Sequence, residues 1–553
     1  MQKPLTEGFK GYKINSVMLG SSMCYTVFFA TILNSGTYKR GKIMSEIKSV
    51  KQLVKYAAES YGDKDFCRYY VGTFPYKKSY KEFYEDALAV ARYIRHINPK
   101  RMHIAFIGKT NYEYIACLTG MIFSGNVVCP FAPDITVDEA VTLFEDADIE
   151  MLFCEEEMMA TAIEIQKRTP ALKKIVSLGD IKWFAEVFET YNSESEYAGL
   201  EEVEIDIDAC ALIIYTSGTT GDRKGVMLSN HNIAANTCYN EYNMDNDDVS
   251  FSVLPMHHVF CYNCDVLKTV YDGGTLCLNG PMSNLYKNFL RFEPTIMRIV
   301  PSLCKSILTR IKITERNNPD LTPREAAERV VGKNFRRMIA GSAYLSGALI
   351  DEFEKYGITA RQGYGMSECS PRITTSDFSE LNKYSTGKVL SVNEVRVQDG
   401  EIQVKGPSVM LGYYKRPDAT KAAFTEDGYL HTGDLGYLEG NHLFLVGRKK
   451  NLIILSNGEN VSPEEIENLF ADETIVKEVV VYGENDKIIC EALPDVEFCD
   501  EMSEEEIEQK IHAIIDSINL KSPQTRQIAE LRIRNTPFPR TSSGKIKRTA
   551  FYF

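Results

Sequence analysis

Within Tyr215-Thr216-Ser217-Gly218-Thr219-Thr220-Gly221-Asp222-Arg223-Lys224-Gly225, four small hydroxyl side chains and three glycines lead into a basic end. Glycine lets backbone N–H groups come close to a ligand and tolerates φ > 0. Hydroxyls add donors, and Arg223 and Lys224 add positive charge. That combination suits a polyphosphate, although a Gly/Ser/Thr loop of this kind also reads as a polar surface turn. The Walker A pattern is excluded by spacing. It needs four residues between its first glycine and a Gly-Lys-Ser/Thr, and here Lys224 is followed by Gly225.

Five further stretches stand at intervals along the chain. They are Leu254-Pro255-Met256-His257-His258-Val259-Phe260, Gln362-Gly363-Tyr364-Gly365-Met366-Ser367-Glu368-Cys369-Ser370-Pro371, Tyr429-Leu430-His431-Thr432-Gly433-Asp434, Gly447-Arg448-Lys449-Lys450-Asn451-Leu452-Ile453-Ile454 and Pro539-Arg540-Thr541-Ser542-Ser543-Gly544-Lys545-Ile546. With the phosphate-type loop they resemble, in order and rough spacing, the motifs of the adenylate-forming superfamily. That superfamily includes acyl-CoA synthetases, peptide-synthetase adenylation domains and luciferases. The resemblance runs from about residue 50 to the C-terminus. In wording it is most similar to bacterial-type long-chain fatty acid–CoA ligases.

The resemblance implies roles for individual residues. Thr216, Ser217, Gly218, Thr219, Thr220, Gly221 and Lys224 would hold the β- and γ-phosphates of ATP. Glu368, with Thr216, would hold Mg²⁺, a hard cation that favours carboxylates and substrate phosphates. Tyr364, between Gly363 and Gly365, offers a flat face for adenine, and Met366 and Ser367 continue that wall. Ser367 stands where the family usually has threonine and keeps the hydroxyl for the α-phosphate. Gly341, Ser342 and Ala343 would border the adenine and acyl pockets, a turn that the residues alone read equally well as strand-to-helix punctuation. His258 would place the carboxylate and gate the acyl pocket. Asp434 and Arg448 would take the ribose, Lys450 would sit at a hinge, and the face around Asn457-Gly458 would meet the thiol. Lys545 would bridge the attacking carboxylate and the α-phosphate.

The implied chemistry has two steps. A carboxylate attacks the α-phosphorus of ATP and releases pyrophosphate, and a thiol then takes the acyl group and releases AMP. Positioning and charge stabilisation do most of this work. The resemblance implies a fatty acid and CoA as the small-molecule partners. In the family's fatty acid ligases an acidic residue often follows the His-His-x-aromatic stretch; here it is Cys261. No Asp of the kind that holds an amino acid's ammonium stands near Phe260, which disfavours an amino acid. Two alternatives remain. One is a free-standing adenylation enzyme that loads an aryl, fatty or amino acid onto the phosphopantetheine of an acyl or peptidyl carrier protein. The other is a non-catalytic nucleotide-binding relative, against which Lys545, Glu368, Asp434 and Arg448 together argue.

The elements that must carry these residues can be read from apolar periodicity. Ala209 to Tyr215, His103 to Gly108, Val127 to Pro130, Met151 to Cys154, Lys174 to Ser177, Phe251 to Pro255 and Ile296 to Val300 read as strands. Helical stretches between them (Tyr112 to Ser124, His231 to about Tyr242, from Pro301 on) predict a parallel α/β organisation. Two amphipathic helices flank a short strand pair between Val50 and Ile97. Lys388 to Tyr437 predicts a small β-subdomain. After it, Pro463 to Leu469 predicts a helix with Ser462 as N-cap and Glu465 as capping-box partner. Val479 to Tyr482 and Ile488 to Ala492 read as strands, and Ser503 to Ile518 as an acidic helix. The predicted fold class is α/β: a large multi-subdomain N-terminal part over 44–446 and a small mobile α+β module over 447–553.

The 553 residues exceed a single core, and the formal charge of −13 argues against a nucleic-acid partner. Fourteen scattered cysteines suit a reduced, cytoplasmic protein. The lone Cys261-x-x-Cys264 lacks the second pair of a zinc site. Residues 1–43 form a leader with a moderately apolar run from Val17 to Leu33. It reads as a disordered leader or an over-extended start before Met44, with a signal peptide as the third reading and membrane association disfavoured.

Overall fold

The computed structural model describes residues 47–553 apart from 180, 217–222, 240–243, 377, 379–381, 457, 471–472, 497, 500–501, 541–545, 549–550 and 552–553. The leader therefore lies outside the described residues.

Two seven-stranded sheets dominate. In the first, the strand order is Thr359–Gln362, Arg337–Ala340, Ile296–Ile299, Val249–Ser252, Thr275–Leu278, Asp65–Val71 and Phe74–Ser79. All neighbours are parallel except the closing hairpin of the last two. In the second, Lys174–Ser177, Ile149–Cys154, His103–Ile107, Val127–Phe131 and Cys210–Thr216 run parallel, and Lys224–Ser229 and Gly412–Tyr413 add antiparallel strands. The Tyr112–Phe123 helix is buried all round, as a helix covered on every side must be. It crosses the Tyr80–Ile97 helix so closely that a Cβ on Gly120 would lie 2.6 Å from Val90 Cβ.

Local signals account for the element boundaries. Ser79 and Glu82 close a capping box at the head of the Tyr80–Ile97 helix, and Ser503 and Glu506 do the same for Glu504–Lys521. Two helices depart from the sequence reading. The helix expected from His231 to Tyr242 is Asn230–Thr237. Near its end the Thr237 hydroxyl donates back to the Ile233 carbonyl, and the Asn236 amide reaches out to the carbonyls of Cys369 and Arg372, the competition that makes such residues poor helix interiors. Ser462 caps Pro463–Asn468 as expected, but Glu465 pairs with Arg526 rather than completing a capping box.

The predicted β-subdomain is a six-stranded antiparallel sheet, and its Leu430–Glu439 and His442–Arg448 strands form a hairpin. The C-terminal part is a three-stranded sheet of Val476–Glu484, Lys487–Pro494 and Ile528–Ile533 packed against Glu504–Lys521. It has its own core around Val481, Cys490, Ile511 and Ile515. The architecture is thus α/β, a large N-terminal part and a smaller C-terminal one. Among the described residues, no helix is long and apolar enough to cross a membrane.

Candidate active site

The C-terminal ends of parallel strands are where open α/β sheets bind ligands, and three of four adjacent strand ends deliver the predicted residues. Val249–Ser252 leads to His257 and His258, and Arg337–Ala340 to Gly341, Ser342 and Ala343. Thr359–Gln362 leads to Gly363 through Glu368, and Ile296–Ile299 lies between the first two. Gln362 ties two of these ends together: its Oε1 accepts from Leu345 N at 3.2 Å. Ser342 adopts φ 69°, a left-handed geometry that costs a non-glycine residue free energy and clusters at functional turns.

The other sheet brings the phosphate-type loop. Cys210–Thr216 and Lys224–Ser229 form a hairpin in which Thr216 faces Lys224 across the ladder. Ser217, Gly218, Thr219, Thr220 and Gly221 lie outside the described residues, so the structure fixes the two feet of the loop. Gly225 is required here, because a Cβ on it would lie 2.8 Å from Ile213 Cγ2. The Lys224 ammonium sits 4.9 Å over the ring of Tyr413, and the Tyr413 hydroxyl donates to Glu368 Oε1 at 3.0 Å. Tyr413, which the sequence reading missed, thus joins the loop's lysine to the carboxylate expected to hold a metal. One carboxylate beside a phosphate-type hairpin is a donor set that fits Mg²⁺, which takes few protein ligands and completes its shell with phosphate oxygens and water.

Glu368 lies in a short 3₁₀ turn, Ser367–Cys369. Gly365 pairs with Arg372 across the turn's neck, and a Cβ on Gly365 would fall 1.9 Å from the Pro371 carbonyl oxygen. Only glycine fits that approach.

Asp434 and Arg448 are directly opposite each other in the Leu430–Glu439/His442–Arg448 hairpin. Arg448 Nε donates to Asp434 Oδ1 at 2.6 Å, and the Tyr364 hydroxyl donates to Asp434 Oδ2 at 2.7 Å. Burial and the adjacent Asp434 charge push the Tyr364 phenol well above its ordinary value, so it stays a donor. For Arg448, burial opposes the charge, but Asp434 prevails and raises its pKa. Tyr364 was read as a stacking face; the structure adds a second role for its hydroxyl, unreadable from a partner 70 residues away.

On the other flank the rings of His257 and His258 lie 4.3 Å apart. Burial, then the neighbouring His258, pushes His257 down to about 3, so it is neutral at ordinary pH. The next element, Phe260–Leu267, is a π-helix, a geometry frequent at functional sites. Its first side chain covers Gly341: a Cβ there would meet Phe260 Cζ at 2.7 Å.

Lys450 lies in the 3₁₀ turn Lys449–Asn451 and is exposed, with Lys449 beside it reaching Glu401. Gly458, at φ 82°, turns the small Ile453–Ile454/Asn460–Val461 hairpin, and Asn457 lies outside the described residues. Lys545 and its neighbours 541–544 also lie outside them. Just beyond, Arg540 bridges to Ile546, and Arg548 ion-pairs with Glu467.

Comparison with known proteins identifies the family. The AMP-binding enzyme family model matches residues 54–414, and the AMP-binding enzyme C-terminal domain model matches 450–553. A 2-succinylbenzoate–CoA ligase of Bacillus cereus is 30% identical over 435 residues, covering 74% of this chain and 81% of that one. The same-named enzyme of Bacillus anthracis is 28% identical over 428 residues, again covering 74% and 81%. Among solved structures, the adenylation domain of a carboxylate reductase from Mycobacterium chelonae superposes with a TM-score of 0.78 at 18% identity, over 97% of this chain and 96% of that one. An anthranilate CoA ligase in complex with anthranoyl-AMP gives 0.77 at 17% identity, over 91% and 96%. These structures share the fold, and the chain belongs to the AMP-binding enzyme family.

Proposed function

We propose that this protein is an AMP-forming acid–thiol ligase: it activates a carboxylic acid with ATP to an acyl-adenylate and passes the acyl group to the thiol of CoA. The observation that carries the reading is the convergence of Tyr364, Asp434 and Arg448 with the Glu368–Tyr413–Lys224 chain. The first group presents a fixed carboxylate to a ribose diol. The second places a metal-binding carboxylate and a cation at the feet of a phosphate-type loop. Mg²⁺ bound at Glu368 and Thr216 would neutralise phosphate charge. Of the chain's own groups, Lys224 and the loop hydroxyls would orient the β- and γ-phosphates, His258 would place the acid, and Lys545 would offset charge at the α-phosphorus. The chain would work as a body over 44–446 and a module over 447–553 that turns about Lys450. Its location would be cytoplasmic, in keeping with free thiols at every described cysteine.

Two acid classes are supported by different observations. The motif wording resembles fatty acid ligases, whereas the curated relatives carry the name of an aromatic acid, 2-succinylbenzoate. The test is ATP–pyrophosphate exchange across fatty, aryl and amino acids, followed by AMP release on adding CoA. Lys545→Ala should abolish exchange while ATP binding, read by calorimetry, stays within about threefold. Exchange near wild type in that variant removes Lys545 from the chemistry. Turnover only with a carrier protein replaces CoA as the acceptor.

A further inference from the structure

The Val249–Ser252 and Ile296–Ile299 strands lie side by side, buried on both faces. Sheets of this kind normally carry apolar side chains on both. One face does: Phe251, Met297 and Ile299 join the apolar core. The other presents Ser250, Ser252 and Arg298, all buried. Against it lies the Phe260–Leu267 π-helix, which contributes Asp265, fully buried.

The Arg298–Asp265 pair is open. A buried guanidinium and carboxylate usually meet through two short parallel hydrogen bonds. Here Arg298 Nη1 is 3.7 Å from Asp265 Oδ1, beyond hydrogen-bond range, and that oxygen has no hydrogen-bond partner. Asp265 Oδ2 accepts from Ser252 Oγ at 2.8 Å. Among the described residues, the guanidinium has only Ser250 Oγ and the Met244 thioether, each at 3.3 Å, for hydrogen bonds, although it carries five donors. An under-used buried cation and a partnerless buried oxygen each carry a desolvation penalty that calls for a reason. Two further partnerless polar atoms lie nearby: Asn263 Oδ1 on the same π-helix and Ser370 Oγ.

The π-helix that carries Asp265 adjoins the candidate site. The π-helix starts two residues after His258 with Phe260 against Gly341. Asn263 Nδ2 donates to the Ser370 carbonyl at 2.5 Å, two residues past Glu368. We propose that Arg298 and Asp265 form the floor of the acid-binding pocket and receive a second carboxylate, at the end of the substrate opposite the one that is adenylated. The substrate class is then a dicarboxylic acid rather than a plain fatty acid, an inference that rests on the adenylating reading above. Arg298 takes the distal carboxylate with its fork of N–H donors. Burial, opposed mainly by Arg298, holds the Asp265 carboxyl up at about 6, and the negative charge of an entering carboxylate would push it further toward the neutral O–H donor. In this structure Arg298 and Asp265 are buried, so the floor must open for an acid to reach it.

The experiment is ATP–pyrophosphate exchange by the full chain on matched acids: hexanedioate against hexanoate, and 2-(2-carboxyethyl)benzoate against 2-propylbenzoate. The wild type should prefer at least one diacid over its partner about tenfold or more in kcat/KM, because a site built for a polar group discriminates strongly against analogues lacking it. The double variant Arg298→Leu/Asp265→Leu, which removes both charges together, should lose that preference through the KM for the diacid and keep exchange with the monoacids. Arg298→Lys should retain part of the preference, and it decides the matter if the double variant does not fold. Equal rates or a monoacid preference in the wild type, or an undiminished preference in Arg298→Lys or the folded double variant, overturns the proposal while leaving adenylation intact. Absence of exchange with every acid removes the adenylating reading, and this assignment with it.

Discussion

Replacing Tyr364 with phenylalanine separates the two roles of that side chain. The substitution keeps the ring, its burial and any stacking, and removes only the hydroxyl that donates to Asp434 Oδ2 at 2.7 Å. Asp434 is 5% exposed, so water does not readily replace the lost donor, and stranding a buried acceptor costs about 1–3 kcal/mol. The carboxylate retains Arg448, whose Nε already holds Oδ1 at 2.6 Å. With the tyrosine donor gone, both oxygens can turn onto the guanidinium fork. That would withdraw them from the ribose diol proposed for this site. If reorientation costs the nucleotide half of the lost hydrogen bond, about 1 kcal/mol, the KM for ATP rises about fivefold. The assays are ATP dependence of pyrophosphate exchange and chemical denaturation of the nucleotide-free protein. A KM within twofold of wild type together with an unchanged denaturation midpoint would refute the reasoning and leave Tyr364 as a stacking surface alone.

Three other outcomes follow from the same geometry. Glu368→Gln keeps an acceptor for the Tyr413 hydroxyl but loses the charge, so half-saturation of exchange by Mg²⁺ should shift up about tenfold; an unchanged Mg²⁺ titration removes Glu368 from the metal site. Gly365→Ala places a methyl 1.9 Å from the Pro371 carbonyl oxygen and should destabilise the protein by about 3 kcal/mol, read by denaturant titration, with a wild-type midpoint arguing that the turn is looser than described. His257, held down at about 3 by burial and then by His258, refuses a proton that the unfolded chain accepts near its ordinary value of 6.5. Its contribution to stability is therefore complete above pH 6.5 and is lost as pH falls toward 3, by up to about 1.4 kcal/mol per pH unit. His257→Phe should show a shallower acid limb in unfolding experiments, and an identical limb would assign the slope elsewhere.

Much of the scaffold is legible in local sequence because local physics decides it. The apolar runs at His103 and Val127 are strands since both faces are covered, and Ser503 with Glu506 closes a helix head through bonds three residues apart. The site is legible as a set of motifs, but the contacts that give the motifs their geometry join distant residues. Tyr413 meets Glu368 across 45 residues and Lys224 through its ring. Phe260 meets Gly341 across the end of the intervening Ile296–Ile299 strand, and no periodicity announces a π-helix at Phe260–Leu267. Arg298 reads as an interruption in an apolar strand, and its loose partnership with Asp265 appears only when both faces of the sheet are seen.

The hairpin that pairs Asp434 with Arg448 has a mechanical consequence. The His442–Arg448 strand is at once a wall of the candidate nucleotide site and the last strand before the C-terminal part. If that part turns as proposed, the torque would pass along a hydrogen-bonded strut directly to Arg448. Because side chains alternate along a strand, a slip of the His442–Arg448 strand by one residue would turn Arg448 away from Asp434. Fraying of this one ladder would thus disarm the site all at once, and slow amide-hydrogen exchange along Leu430–Glu439 would serve as a gauge of whether the machine is cocked or slack.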